Sequence, residues 1–132
     1  AFGTTAPYGN IDPVFDICKI ADAAGASYVA RGTAFHTQML IDLIKKGMEN
    51  KGFSLIESLS GCPTYFGRRN KLANPVDLMK HLKDITLNVK AAEKLPPEKK
   101  IGKILIGEFK NEARPEYTEE YEKLIKRLKE EV

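Results

Sequence analysis

Cys62 stands in a tight corner, Gly61-Cys62-Pro63-Thr64. An apolar run, Phe53-Ser54-Leu55-Ile56-Glu57-Ser58-Leu59, precedes it, and a basic polar stretch, Gly67-Arg68-Arg69-Asn70-Lys71, follows. A thiol beside three cations suits a soft metal ligand or a reactive thiolate, because positive charge favours the ionised sulfur. The competing reading is that Cys62 packs under the turn, since free cysteine is often buried. Arg68, Arg69 and Lys71 also carry two readings: a solvated loop, or contact with an anion or an acidic partner. Use of Cys62 as a nucleophile lacks a base at any recognisable spacing. The chain has no P-loop, no Rossmann glycine fingerprint, no His-Glu-x-x-His and no second cysteine near Cys62. His36 and His81 are isolated: His36, at a helix start, reads as a surface or capping group, and His81, within a charged helix, as a solvated one. Cys18 falls on an apolar helix face and reads as core.

The elements around this corner follow from periodicity and punctuation. Asp12-Pro13 is a cap-and-first-turn pair and predicts a helix start, with Ile17, Cys18, Ala21 and Ala24 on one face and Gly25 at the end. Residues 27–31 read as a short strand followed by a Gly32-Thr33 turn. Residues 35–50 read as a helix with the stripe Met39, Leu40, Leu43, Ile44 and Met48, closed by Lys51-Gly52. The 53–59 run is then a buried strand ending just before Cys62. Helix–strand–helix–strand order is the material of an α/β fold, a mostly parallel sheet flanked by helices. In such sheets chemistry sits just beyond the carboxyl ends of strands.

Asn74-Pro75 opens another predicted helix carrying Leu78, Met79, Leu82 and Ile85, weakened at Thr86-Leu87-Asn88. Pro96-Pro97 is a break, 103–109 a third strand and Arg114-Pro115 a turn. A charged amphipathic helix is predicted over 117–131, with the stripe Tyr117, Tyr121, Leu124, Ile125 and Leu128. Glu119 with Lys123, and Glu122 with Lys126, are spaced for surface pairs.

The 132 residues suit one compact domain; 42% are hydrophobic and 30% charged. The net charge of +3, without a basic stripe interleaved with aromatics, gives no reason to expect nucleic acid. No apolar segment approaches membrane-spanning length. Two cysteines without a secretory signal point to free thiols in a reducing, cytoplasmic setting. The start, Ala1-Phe2-Gly3, lacks an initiator methionine and a signal-peptide pattern, so a piece of a longer polypeptide is expected.

Several blocks, taken together and in order, carry a family resemblance. They are Thr4-Thr5-Ala6-Pro7-Tyr8-Gly9-Asn10, Phe15-Asp16-Ile17-Cys18, Tyr28-Val29-Ala30-Arg31, Ser60-Gly61-Cys62-Pro63-Thr64, Gly67-Arg68-Arg69-Asn70 and Arg114-Pro115-Glu116-Tyr117-Thr118. This series resembles the thiamine-diphosphate-binding beta subunits of 2-oxoacid:ferredoxin oxidoreductases over nearly the whole chain, with the 2-oxoglutarate-type branch nearest. The resemblance implies a thiamine-diphosphate-binding fold of which residues 1–132 are a single domain, the carboxyl-terminal part. The family's amino-terminal Cys-Pro-x-Cys, third cysteine and magnesium-binding Gly-Asp-Gly are absent here, so the chain is expected to start just after the magnesium loop.

By the same resemblance Cys62 matches the fourth cysteine ligand of a 4Fe–4S cluster, and Gly61 stands where the family usually has Pro. The implied cofactors of the complete subunit are thiamine diphosphate, magnesium and that cluster; residues 1–132 alone are not expected to bind any of them fully. The implied partners are the other subunits, ferredoxin, a 2-oxoacid and coenzyme A, with no nucleic acid and no membrane. Arg68 and Arg69 would favour the thiolate and, with Lys71, attract an acidic acceptor such as ferredoxin. A non-catalytic α/β interaction module, docking through the basic loop and last helix, is the alternative.

Overall fold

The computed structural model describes residues 1–130. Its centre is a four-stranded sheet in the order β2-β1-β4-β3. The strands are β1 (Tyr28–Thr33), β2 (Ser54–Leu59), β3 (Thr86–Asn88) and β4 (Ile104–Asn111). β1 and β2 are parallel, joined through α2 (Thr37–Glu49), and β3 and β4 are parallel, joined through α4 (Val89–Glu93). The β1–β4 pair at the centre is antiparallel, so the sheet is mostly, not wholly, parallel. A bulge at Val29/Ala30 shifts that central register.

All six residues of β1 are buried, as a strand covered on both faces requires. Its alternate side chains feed two cores. Val29 joins Cys18 and Ala21 of α1 (Ile17–Ala23), with Leu55 and Phe109 against them. Tyr28 and Ala30 join Leu43 of α2, with Met39 and Ile56. The period-two alternation of a strand thus assigns α1 to one face and α2 to the other. The Tyr28 hydroxyl donates to the Leu43 carbonyl at 3.1 Å and ties α2 to the sheet.

Several boundaries differ from expectation. The chain stays irregular through Asp12-Pro13, and Asp16 caps α1 instead, its carboxylate accepting from the Lys19 N–H at 3.3 Å. Arg31 holds Asp16 in that place, a tertiary tie that local sequence does not reveal. Ala24 is the C-cap and exposed; Gly25 then turns the chain at φ +91°, a left-handed value natural to glycine. Gly32 and Thr33 continue β1 because they pair with Ser58 and Leu59. Thr86-Leu87-Asn88 leaves the helix α3 (Pro75–Asp84) and pairs with β4 as β3. Pro97–Lys100 forms a 3-10 turn after the expected break.

The helical stripes are only partly covered. Leu43 is buried in α2, but Met48 is 81% exposed. In α5 (Tyr117–Glu130) every stripe residue, Tyr117, Tyr121, Leu124, Ile125 and Leu128, is exposed. Glu131, expected as the end of that helix, lies outside the described residues. Glu119 pairs with Lys51 at 2.7 Å and Lys123 with Glu120 at 2.6 Å, in place of the expected Glu119–Lys123 pair. No Glu122–Lys126 pair forms among the described residues. No helix among them is long and apolar enough to cross a membrane.

Candidate functional site at the carboxyl end of the parallel strands

β2 ends at Leu59, and three residues later Cys62 opens a helical turn of π type, Pro63–Gly67. Pro63 sits in its first turn, where a missing N–H costs nothing. Cys62 is the N-cap: its Sγ accepts from the Tyr65 N–H at 3.5 Å, and the Gly67 N–H reaches the Cys62 carbonyl at 2.9 Å. The expected tight corner is thus a capped turn with an exposed thiol.

Two glycines shape this turn. A Cβ at Gly61 would lie 2.6 Å from Leu78 Cδ2, so the α3 side chain occupies the space a bulkier residue would need. A Cβ at Gly67 would run into the Leu72 backbone carbonyl, and the Leu72 N–H donates to the Gly67 carbonyl at 2.7 Å to close the exit of the turn.

The N–H groups at the start of the turn pull the Cys62 thiol below its usual pKa. Tyr65 N–H contributes most, then Thr64, with a smaller part from Phe66. Arg68 and Arg69 do not figure among these causes, contrary to the expectation that they would favour the thiolate; they sit at the far end of the turn, exposed, with Arg68 as its C-cap. Lys71 follows with φ +59° and is also exposed. None of the three forms an ion pair among the described residues. No group of three or more His, Cys, Asp or Glu side chains is arranged to hold a metal ion among the described residues.

The two cysteines are free and differ in every respect. Cys18 is buried on α1 at 4% exposure, and burial, then its bond to Glu57, pushes its thiol up to about 12. It remains a thiol that faces the Glu57 carboxylate at 3.3 Å and is inert at neutral pH. His36 is the N-cap of α2 but makes no cap bond; its Nδ1 pairs with Thr33 Oγ1 at 2.8 Å.

A second polar centre escaped sequence reasoning. Arg31, on β1 and 7% exposed, joins four parts of the chain. Its Nε donates to Glu57 on β2 at 2.6 Å, its Nη2 to Asp16 at 2.5 Å and its Nη1 to the Leu105 carbonyl on β4 at 3.3 Å. Its guanidinium carbon lies 5.5 Å from the Phe109 ring centroid. These groups wall an open cavity of about 690 Å³ on the α1 face, with Cys18, Leu59 and Lys103. The signal was present: Arg31 and Glu57 are charges inside otherwise apolar strand runs, and such charges are almost never buried unpaired.

Burial opposes ionisation of Asp16, but the Arg31 guanidinium and the Lys19 N–H outweigh it and hold the carboxyl below 3.8. A depressed folded-state pKa gives stability that is present above the unfolded value and lost as pH falls through the folded one. Asp16→Asn, which keeps a capping oxygen, should therefore lower the urea midpoint at pH 7. Its deficit should shrink at pH 3. A deficit constant between those pH values would contradict the ion-pair account.

No protein-family model matches the chain. The 2-oxoglutarate synthase subunit KorB of Methanothermobacter marburgensis is 53% identical over 116 residues, covering 88% of this chain and 41% of that protein. The chain is a homologue of 2-oxoacid:ferredoxin oxidoreductase subunits. A 2-oxoacid:ferredoxin oxidoreductase beta subunit from Aeropyrum pernix is 45% identical over 58 residues, 44% of this chain and 18% of that one. A solved 2-oxoglutarate:ferredoxin oxidoreductase from Magnetococcus marinus, with 2-oxoglutarate, coenzyme A and succinyl-CoA bound, superposes with a TM-score of 0.70 at 26% identity. That match covers 94% of this chain and 43% of the solved one. The chain thus spans less than half the length of these oxidoreductase subunits.

Proposed function

We propose that residues 1–132 are a single domain, the carboxyl-terminal part of a beta subunit in an oxidoreductase that oxidatively decarboxylates a 2-oxoacid to an acyl-CoA and reduces ferredoxin. 2-Oxoglutarate is the favoured substrate, because the most extensive matches carry that name. The observation that carries the reading is the 53% identity across 88% of the chain, which includes the turn of the exposed Cys62.

Cys62 is proposed as one thiolate ligand of a 4Fe–4S cluster. Its chemistry fits: the sulfur is exposed, and backbone N–H groups favour its ionised form, as they do for cluster sulfurs. The other ligands, with magnesium and thiamine diphosphate sites, belong to the remaining length of the subunit. When bound, the thiamine cofactor supplies an electron sink for the decarboxylated carbon and the cluster supplies a one-electron outlet. Arg68, Arg69 and Lys71, exposed beyond the turn, serve to attract an acidic acceptor such as ferredoxin. The uncovered stripe of α5 suits contacts with the rest of the assembly.

The test compares the isolated chain with the complete complex, each given 2-oxoglutarate, coenzyme A and thiamine diphosphate. The complex should reduce ferredoxin or a viologen dye, and the isolated chain should not. Dye reduction by the isolated chain, or none by the complex with any 2-oxoacid, would overturn the reading.

A further inference from the structure

Residues 1–10 form a closed loop on the surface. The Asn10 N–H donates to the Ala1 carbonyl at 3.0 Å, and Gly3 and Ala6 exchange backbone bonds across the loop at 3.1 and 3.3 Å. One side chain ties this loop to the Cys62 turn. Asn70 accepts from the Phe2 N–H at 2.9 Å and donates through Nδ2 to the Phe2 carbonyl at 3.1 Å. The same Nδ2 donates to the Phe66 carbonyl, inside the turn, at 2.8 Å. Both donors and one acceptor of the amide are thus in use. A flipped amide would set NH₂ against N–H and oxygen against two carbonyls, so the orientation is fixed. Asn70 treats Phe2 as a neighbouring strand would, meeting its N–H and its C=O together, 68 positions away in sequence.

We infer that Asn70 is a positioning residue that clamps the amino-terminal loop to the Cys62 turn and so fixes where the Cys62 sulfur sits in the subunit. The inference rests on the cluster-ligand reading given above. The Cys62 turn hangs from the sheet at Leu59 on one side and meets α3 at Leu78 beneath Gly61. Its far end, at Phe66 and Gly67, is held locally by the Leu72 N–H on the Gly67 carbonyl at 2.7 Å and by the Asn70 bonds, which also carry the restraint to residues 1–10. Electron transfer to a cluster depends on where its ligand is held, and outer partners of metal ligands typically change activity about 10–100-fold when replaced.

The experiment uses the complete complex with Asn70→Leu and, in case leucine disturbs folding, the isosteric Asn70→Asp, which removes both donors while keeping the acceptor. Hydrogen exchange is read in residues 1–10 and 62–67, with iron content, the electron paramagnetic resonance signal of the reduced cluster and ferredoxin-linked turnover. Expected are faster exchange in both segments, iron retained, an altered resonance signal and turnover reduced about 10-fold. Unchanged exchange would show that no clamp exists. Faster exchange with an unaltered signal and turnover would reduce Asn70 to a structural tie and overturn the positioning role. Failure of the underlying reading is separable, since it would appear in the unsubstituted complex as absence of iron or of ferredoxin reduction.

Discussion

Cys62→Ala in the complete complex should lose most of its cluster iron and its ferredoxin-linked turnover, while 2-oxoacid-dependent decarboxylation can still begin. The expectation follows from the contrast between the two cysteines. Cys18 is sunk between α1 and the sheet, its thiol held protonated by burial and Glu57. Cys62 is exposed at the mouth of a capped turn, its ionised form favoured by the N–H groups of Tyr65, Thr64 and Phe66. Removing an exposed sulfur costs little packing, so a stability loss of at most about 1 kcal/mol is expected. A large functional loss with a small change in unfolding midpoint would therefore come from ligation. Cys62→Ser, with an oxygen in place of sulfur, should retain some iron at an altered potential, because ligand identity tunes the cluster. Full iron and near-normal turnover in Cys62→Ala would sink the assignment.

The same contrast shows what was legible in the sequence. β2 and α2 were readable, because one is a short apolar run closed by Gly61-Cys62-Pro63 and the other a 3.6-period stripe closed by Lys51-Gly52. The position of Cys62 just beyond a parallel strand followed from those two elements. β3 was not readable, because three residues at the end of a helix carry no period of their own; only pairing with β4 makes them a strand. Nor was the antiparallel direction of β4 against β1, since strand direction is a property of the connections and not of the local pattern. The start of α1 was misplaced because Asp12-Pro13 has good capping chemistry, yet Asp16 has both a cap bond and Arg31. Whether the apolar face of α5 is covered was not readable for a related reason. Periodicity reports that a helix has an apolar face and says nothing of whether this stretch of chain supplies the cover.

Arg31→Met should destabilise the protein by about 3 kcal/mol, the lower end of what breaking a buried ion pair costs. The methionine can keep much of the packing against Phe109, so the loss lies in the charges left behind. Asp16 and Glu57 would face one another across the place of the lost guanidinium, each only partly open to water at 29% and 22% side-chain exposure. The Leu105 carbonyl would lose its donor as well. Arg31→Lys should recover little, because one ammonium cannot reach two carboxylates and a carbonyl with the geometry of a planar fork.

Two further measurements separate this account from simple loss of volume. First, the deficit of Arg31→Met should narrow as pH falls below about 4, near the ordinary carboxylate values. Protonating Asp16 removes the like-charge contact with Glu57 in the variant, whereas in the parent it gives up the ionised form that Arg31 favours. Second, adding Glu57→Met to Arg31→Met should return part of the lost stability, since removing both members of a buried pair is far less costly than removing one. Urea midpoints at pH 7 and pH 3.5 for the parent, the single variant and the double variant decide the matter. A double variant no more stable than Arg31→Met, with a deficit that ignores pH, would mean that Arg31 acts through its bulk alone.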